Sequence, residues 1–393
     1  MPPPLFLTAS TAVSAAGHGA AAHRAALLER RGGLRPNDFD PPVGGWIGRV
    51  AGVEAHGLPP GLAGFDCRNN RLADMALRAD GFDGAVADAV GRHGADRIAV
   101  VLGTSTSGVT AAENAYQDRS GDDPLRFDYD RTQDLFSLGG YIRTALGLHG
   151  PALVVSTACA SSARCFIDAA QLIRTGICDA AVVGGADSLC RMTLHGFAAL
   201  ELLSPEACRP CGADRTGISV GEAAGFALLE RAPVGSGPHL ALLGAGATSD
   251  GYHMSSPHPE GAGAAAAMRQ ALDAAGLRPD EVDWVNLHGT GTRANDAMED
   301  RAVHAVFGGA VPCSSTKGWT GHTLGACGIL EVVIAGQCMA AGFVAGCLGL
   351  DGPDPAFQAQ VATDTLHRPV RRVVSNSFGF GGINCSLVLG SVQ

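Results

Sequence analysis

The segment "LVVSTACASSARCFIDAAQLIRTG", residues 153–176, sets a thiol at the junction of two local patterns. An apolar run ends in small residues at Cys159, and a helical repeat begins directly after it. A thiol at a helix start feels the positive end of the helix dipole and nearby backbone N–H groups, which favour thiolate over thiol. The expected consequence is a Cys159 pKa moved from about 8.5 toward neutrality. A sharp strand-to-helix turn would also expose the sulfur, as the serine elbow of hydrolases does. For any single thiol, a buried packing role is the alternative, and this segment alone leaves it open.

Three further groups sit in small-residue loops. His288 lies in "NLHGTGT", where a strand runs into a Gly/Thr turn, a usual place for functional groups in open α/β sheets. His322 and Lys317 lie five residues apart in "STKGWTGHTLGACG". Each sits at an element boundary, so convergence with Cys159 is possible, although spacing does not prove it. Other candidates are weaker. Cys208 and Cys211 form a lone "CRPC" without the second pair of a zinc site, and His253 and His258 read as loop residues. No metal is expected.

The elements that must position these groups follow from periodicity. "RIAVVLGTS" (98–106), "ALVVSTA" (152–158), "DAAVVGGADS" (179–188) and "GFALLER" (225–231) read as strands, the first three as buried ones. Ala163, Phe166, Ala170 and Ile173 recur at helical spacing, with Gly176 placed to end the helix. The second half repeats the style. "VDWVNLHGTGT" (282–292) is a strand into a turn, residues 311–342 are strand, loop and long helix, and residues 371–390 are two strands joined by a Gly-Phe turn. The repetition suggests internal duplication in an α/β protein with buried sheets, divided near "RAPVGSGPH" (231–239) into halves 1–235 and 236–393.

Composition bounds the function classes. The 393 residues are 46% hydrophobic and 17% charged, with 55 Gly, which fits a compact, heavily buried globule. A net charge of −10 disfavours nucleic-acid binding. No apolar stretch is expected to approach the roughly 20 residues of a membrane span. "MPPPLFLTASTAVSAAGHGAAAH" lacks a basic region and a continuous apolar region, so it reads as a first strand and turn rather than a signal peptide. Twelve scattered cysteines point to reduced thiols in the cytoplasm.

"STACASS", "HGTGT", "STKGWTGHTLGACG" and "NSFGFGGINCSLVLG" resemble, in order and wording, the motifs of elongating Cys-His-His β-ketoacyl-ACP synthases of the thiolase superfamily. The resemblance covers nearly the whole chain. It implies a thiolase-like fold of two pseudo-duplicated halves in a five-layered α-β-α-β-α arrangement, usually dimeric. It implies an acyltransferase that performs decarboxylative Claisen condensation of an acyl thioester with malonyl-ACP. Cys159 would carry the acyl chain, and backbone N–H groups of Cys159 and Phe380 would form the oxyanion hole. His288 and His322 would stabilise the enolate, supported by Lys317 and Glu331. Thr290 and Thr292 would bind the phosphopantetheine arm, and Phe380 with Phe378 would gate the acyl pocket. Arg68, Arg71 and Arg209 resemble docking residues for the acidic acyl carrier protein, with ordinary solvated arginines as the alternative. No tightly bound cofactor is implied.

The family's "RxGFVxGEGAG" reads "RTGISVGEAAG" (215–225) here, which puts local loop packing in question. Residues 188–204 should line the acyl pocket or a dimer contact. A thiolase would carry a second catalytic cysteine, and an initiating synthase an Asn where His322 stands. The different-class alternative is a non-catalytic chain-length-determining subunit, and such subunits normally lose the nucleophile. Fatty-acid elongation as a homodimer and a dedicated polyketide or polyene pathway with a homologous heterodimer partner both remain open.

Overall fold

The computed structural model describes residues 3–40, 42–120 and 127–393. Ten strands carry the architecture. In the first half these are β1 (Leu5–Ser14), β2 (Ile98–Gly103), β3 (Ala152–Val155), β4 (Ala180–Asp187) and β5 (Ala223–Glu230). The second half contributes β6 (His239–Ser249), β7 (Trp284–Asn286), β8 (Pro312–Ser314), β9 (Arg372–Gly379) and β10 (Ile383–Val392). Within the first half the spatial order is β3-β2-β4-β5-β1, and within the second it is β8-β7-β9-β10-β6. The two orders are the same when each half is numbered from its own first strand. In both, the second strand pairs in parallel with the third and fourth, and the fifth runs antiparallel to the fourth and first. The halves meet where β1 pairs antiparallel with β6, Leu5 opposite Leu242 and Phe6 opposite Ala241.

Alternation along the strands explains the layering. Successive side chains point to opposite faces. Val100 and Leu102 of β2 therefore pack outward, with Leu72, Val86 and Leu138 of α1 (Arg68–Leu77), α2 (Phe82–His93) and α3 (Phe136–Ala145). Ala99 and Val101 face inward, in one cluster with Phe166 of α4 (Ser161–Arg174), Val333 of α7 (Cys327–Ala341), and Val373 of β9. On the far face, Val285 and Val374 pack with Met268 and Met298 of α5 (Ala262–Ala275) and α6 (Arg293–Phe307). The result is helix, sheet, helix, sheet, helix, as the motif resemblance implies.

The central helices approach closely. A Cβ on Gly328, at the start of α7, would lie 2.5 Å from the backbone nitrogen of Ala163 in α4, so only glycine fits there. That contact brings the helix that follows Cys159 and the His322 loop to the same place.

Two expectations change. β3 is an edge strand, with Leu153 43% exposed, because it pairs with β2 alone. Leu324–Ala341 is an apolar stretch of 18 residues, long enough by length and composition to cross a membrane. Here 72% of it is buried inside the protein, where it forms the central layer.

Candidate active site

Cys159 sits at the tip of a tight turn between β3 and α4. Ala158 adopts φ +49°, a left-handed conformation that non-glycine residues adopt only under constraint. Ser161 supplies part of that constraint. Its hydroxyl accepts from the Thr157 N–H at 2.9 Å and donates to the Ala158 carbonyl at 2.6 Å. The Cys159 sulfur and one ring nitrogen each of His288 and His322 lie within 4.8 Å of one another, all buried. The structure thus brings together the three residues that the sequence left unconnected.

His288 follows β7 on a loop held from behind by two carboxylates. Glu299 of α6 accepts the N–H groups of His288 at 2.8 Å and Gly289 at 2.7 Å. Asp296 accepts those of Thr290 at 3.0 Å and Gly291 at 3.2 Å. The His322 backbone is clamped on both sides, donating to the Ser219 carbonyl at 2.7 Å and accepting from the Gly221 N–H at 2.9 Å. The altered "RTGISVGEAAG" segment therefore still braces the histidine through its backbone.

The two imidazoles differ in their second nitrogen. His322 Nδ1 accepts the Leu324 N–H at 3.2 Å, which leaves the proton on Nε2. His288 Nδ1 has no partner among the described residues. Burial, followed by the Lys317 charge, holds both pKa values well below the ordinary histidine range, so both rings are neutral.

Lys317 Nζ lies 2.5 Å from Glu331 Oε1, with both side chains buried. Burial lifts the Glu331 carboxyl to about 7 against the pull of the adjacent ammonium. Burial also opposes the Lys317 charge, but the Glu331 carboxylate more than offsets it, so lysine stays protonated. The charged pair is complete on the alkaline side of about 7.

Cys159 departs from expectation. Burial pushes its thiol up to about 12, while Lys317 and the Phe380 backbone N–H pull it down less strongly. Desolvation of the anion outweighs the favourable start of α4, so the resting group is a thiol. A thiol and two imidazoles are also a set that zinc takes. The Lys317 cation, whose field reaches all three residues, opposes a metal ion there.

A cavity of about 110 Å³ opens on these groups. Thr290, Thr292 and Asn295 line it, as do Phe197, Leu202, Ile218, Phe378 and Phe380. The Thr290 and Thr292 hydroxyls are 2.9 Å apart. Phe378 packs beside His288, ring centroids 6.0 Å apart. Phe380 stacks edge-on against Phe197 at 5.9 Å. Its loop rests on a neighbouring segment: Gly381 N–H donates to the Met254 carbonyl at 2.7 Å, and Asp250 N–H to the Gly382 carbonyl at 2.8 Å.

The three arginines behave differently from a free basic patch. Arg68 is turned inward, its side chain 12% exposed, with two nitrogens on buried Glu222 at 2.6 and 2.8 Å and a third on Glu54. Arg71 is paired with Asp66 through two 2.6 Å contacts, and Arg209 with Asp214 at 2.6 Å. The "CRPC" thiols serve separate surroundings: Cys208 donates to the Lys317 carbonyl, while Cys211 packs in the outer core. Phe197, Asp296 and Glu299 were not singled out by sequence. Phe197 falls in the segment expected to line the pocket, but the carboxylates carry no local signal, since most of their partners are backbone N–H groups and the side-chain partners Arg215 and Asn376 lie far away in sequence.

Comparison with known proteins places this architecture. Residues 70–234 match the family described as beta-ketoacyl synthase, N-terminal domain, and residues 239–351 its C-terminal domain. The chain is 36% identical over 272 residues to the mitochondrial 3-oxoacyl-[acyl-carrier-protein] synthase of Arabidopsis thaliana, covering 64% of this chain and 59% of that one. That match spans less than two thirds of the plant protein. It is 33% identical over 323 residues to 3-oxoacyl-[acyl-carrier-protein] synthase 2 of Staphylococcus aureus (strain COL), covering 77% and 78%. A solved structure of a ketosynthase (ApeO) in complex with its chain length factor (ApeC) from Xenorhabdus doucetiae superposes with a TM-score of 0.90 at 39% identity, over 99% of this chain and 98% of that one. Motifs, strand order and matched residues agree: the chain belongs to the β-ketoacyl synthase family and has its thiolase-like fold.

Proposed function

We propose that this chain is a catalytic β-ketoacyl-ACP synthase, an acyltransferase that joins an acyl group on Cys159 to malonyl-ACP. The observation that carries the reading is the convergence of Cys159, His288 and His322 within 4.8 Å at the floor of one cavity. A non-catalytic chain-length subunit would have no use for that constellation.

In the first step Cys159 sulfur attacks the thioester of acyl-ACP. The acyl bond transfers to Cys159, and the thiol proton leaves with the released carrier thiol. In the second step the malonyl C–C bond to the carboxylate breaks, releasing CO2. The electron pair enters an enolate whose oxygen accepts hydrogen bonds from neutral His288 and His322. Neutral donors suit this task because they stabilise developing charge without surrendering a proton. The carbanion attacks the acyl-Cys159 carbonyl, whose oxygen sits between the Cys159 and Phe380 N–H groups, each donor worth about 3 kcal/mol. Collapse expels the Cys159 sulfur, which regains a proton, and leaves β-ketoacyl-ACP. Lys317 keeps a positive charge beside the site, held in place by Glu331, and Thr290 and Thr292 bind the phosphopantetheine arm.

The edge strand β3 supports pairing with a homologous subunit, because it pairs with β2 alone among the described strands and exposes Leu153. Likeness to a ketosynthase solved with its chain length factor supports a dedicated polyketide or polyene pathway and a heterodimer. Likeness to 3-oxoacyl-ACP synthase 2 keeps fatty-acid elongation as a homodimer as the second reading. The division into halves 1–235 and 236–393 follows the β5–β6 connection, where β5 ends at Glu230 and β6 begins at His239. Twelve free, buried cysteines support a reducing, cytoplasmic setting. The carrier would dock at the cavity mouth, with Arg71 and Arg209 as its remaining basic candidates.

The test is intact-protein mass spectrometry after incubation with a panel of acyl-ACPs. An adduct absent from Cys159→Ala supports the reading, and the preferred chain points to the pathway. Folded protein that accepts no donor, alone or with a chain-length subunit, refutes it.

A further inference from the structure

We propose that Asp187 is a positioning residue for the condensation, one that holds the His322 ring in its donating tautomer; this rests on the function proposed above. Asp187 ends β4 and is fully buried. Its carboxylate receives six hydrogen bonds. Oδ1 accepts from Thr104 Oγ1, the Ser105 N–H, the Thr106 N–H and Thr106 Oγ1 at 2.7–3.0 Å. Oδ2 accepts from Ser105 Oγ at 2.5 Å and from the Gly325 N–H at 2.6 Å. Five donors belong to the loop that follows β2. The sixth comes from the other half of the chain, in the turn just after His322.

That turn is what fixes the imidazole. Leu324 donates its N–H to His322 Nδ1, and it does so from φ +52°, a conformation that persists only when neighbours impose it. The neighbours are identifiable. Gly325, next in sequence, is tied to Asp187. Cys327, two further on, directs its thiol to the Leu324 carbonyl, and the same sulfur lies 3.5 Å from the Cys159 carbonyl and 3.7 Å from His322 Nδ1. The His322 backbone is clamped independently by Ser219 and Gly221. Asp187 therefore governs the hydrogen bond to the ring rather than the position of the histidine in the chain.

The chemistry of the carboxylate makes this separable. A carboxylate only accepts, whereas an amide presents one accepting and one donating end. In Asp187→Asn the oxygen must take the place of Oδ1, which faces four donors. The amide nitrogen then meets the Gly325 N–H donor to donor. Ser105 Oγ can rotate to accept, but a backbone N–H cannot. The β2 loop is retained, and the His322 turn is released.

The experiment compares wild type and Asp187→Asn in two half-reactions: acyl transfer from acyl-ACP to Cys159, and decarboxylation of malonyl-ACP. Decarboxylation is expected to fall about tenfold or more, as for a lost oxyanion donor, with acyl transfer within about threefold. In parallel, ¹⁵N spectra of histidine-labelled protein report the His322 tautomer. Wild type should show the Nε2–H form, and the variant a mixture. Should Asp187→Asn not fold, Gly325→Ala gives the same reading, because its Cβ would lie 2.8 Å from Asp187 Oδ2 and push the turn away. Equal loss in both half-reactions, or an unchanged tautomer, overturns the role. The tautomer readout stands even if wild type proves inactive, which would instead refute the condensing function.

Discussion

His322 Nδ1 accepts the Leu324 N–H at 3.2 Å, so this ring presents an N–H rather than a lone pair to the cavity. Replacing His322 with Ala removes that donor. Malonyl-ACP decarboxylation, followed by CO2 release, should drop about 100-fold or more, while acyl transfer to Cys159 persists.

The pH profile should carry the mark of burial. His288 and His322 both have pKa values well below 6.5, first because of desolvation and then because of Lys317. A lowered histidine pKa extends the neutral form toward acid. Neither imidazole should therefore set an acid limb in decarboxylation between about pH 8 and about pH 6; a fall over that range should track the Glu331 carboxyl, which burial lifts to about 7.

Cys159 should titrate in the opposite sense. With its thiol pushed up to about 12, the thiolate is a small fraction at neutral pH. Alkylation by iodoacetamide, read by intact mass, should rise about tenfold per pH unit between pH 8 and 10 without levelling. A plateau near pH 7 would mean that the start of α4 dominates burial after all.

Lys317 and Glu331 form a pair in which neither partner tolerates being left alone. Glu331→Leu strands a buried ammonium and should lower unfolding stability by about 3 kcal/mol in denaturant titration. The double variant Lys317→Met, Glu331→Leu should recover much of that loss, although not the activity.

Phe197 meets Phe380 at 5.9 Å across the cavity. Phe197→Ala should widen the acyl pocket and shift preference toward bulkier or longer acyl-ACPs by roughly tenfold in relative kcat/KM. Competition assays with paired acyl-ACPs would show the shift.

Gly379 lies against the nucleophile's backbone: a Cβ there would be 2.9 Å from the Thr157 carbonyl and 3.2 Å from the Cys159 nitrogen. Gly379→Ala should displace the Phe380 N–H from the Cys159 sulfur. The expected result is a loss of acyl transfer of about 100-fold, the scale of one oxyanion donor.

The elements around these residues were legible because each rests on local pattern. The run at 98–106 and the repeat from Ala163 to Ile173 gave β2 and α4, and Gly176 marked the helix end at φ +78°. The duplicated style of the two halves became two five-strand runs of identical order, joined where β1 pairs with β6. The edge position of β3 was not legible, because exposure of Leu153 depends on which strands lie beside it. Arg68 looked like a surface cation, and only the fold set Glu222 against it.

By itself, then, the sequence determined the chemical cast, Cys159, His288, His322 and Lys317, and the turns that hold them, since residue type and short-range spacing are local properties. Tertiary structure decided what that cast does. It closed Cys159, His288 and His322 to within 4.8 Å, bringing Cys159 to His322 by packing α4 against α7 at Gly328 and holding the His288 loop from α6 through Glu299. It also set their protonation, because desolvation is a property of the volume packed around a group, and no neighbour in sequence reports it.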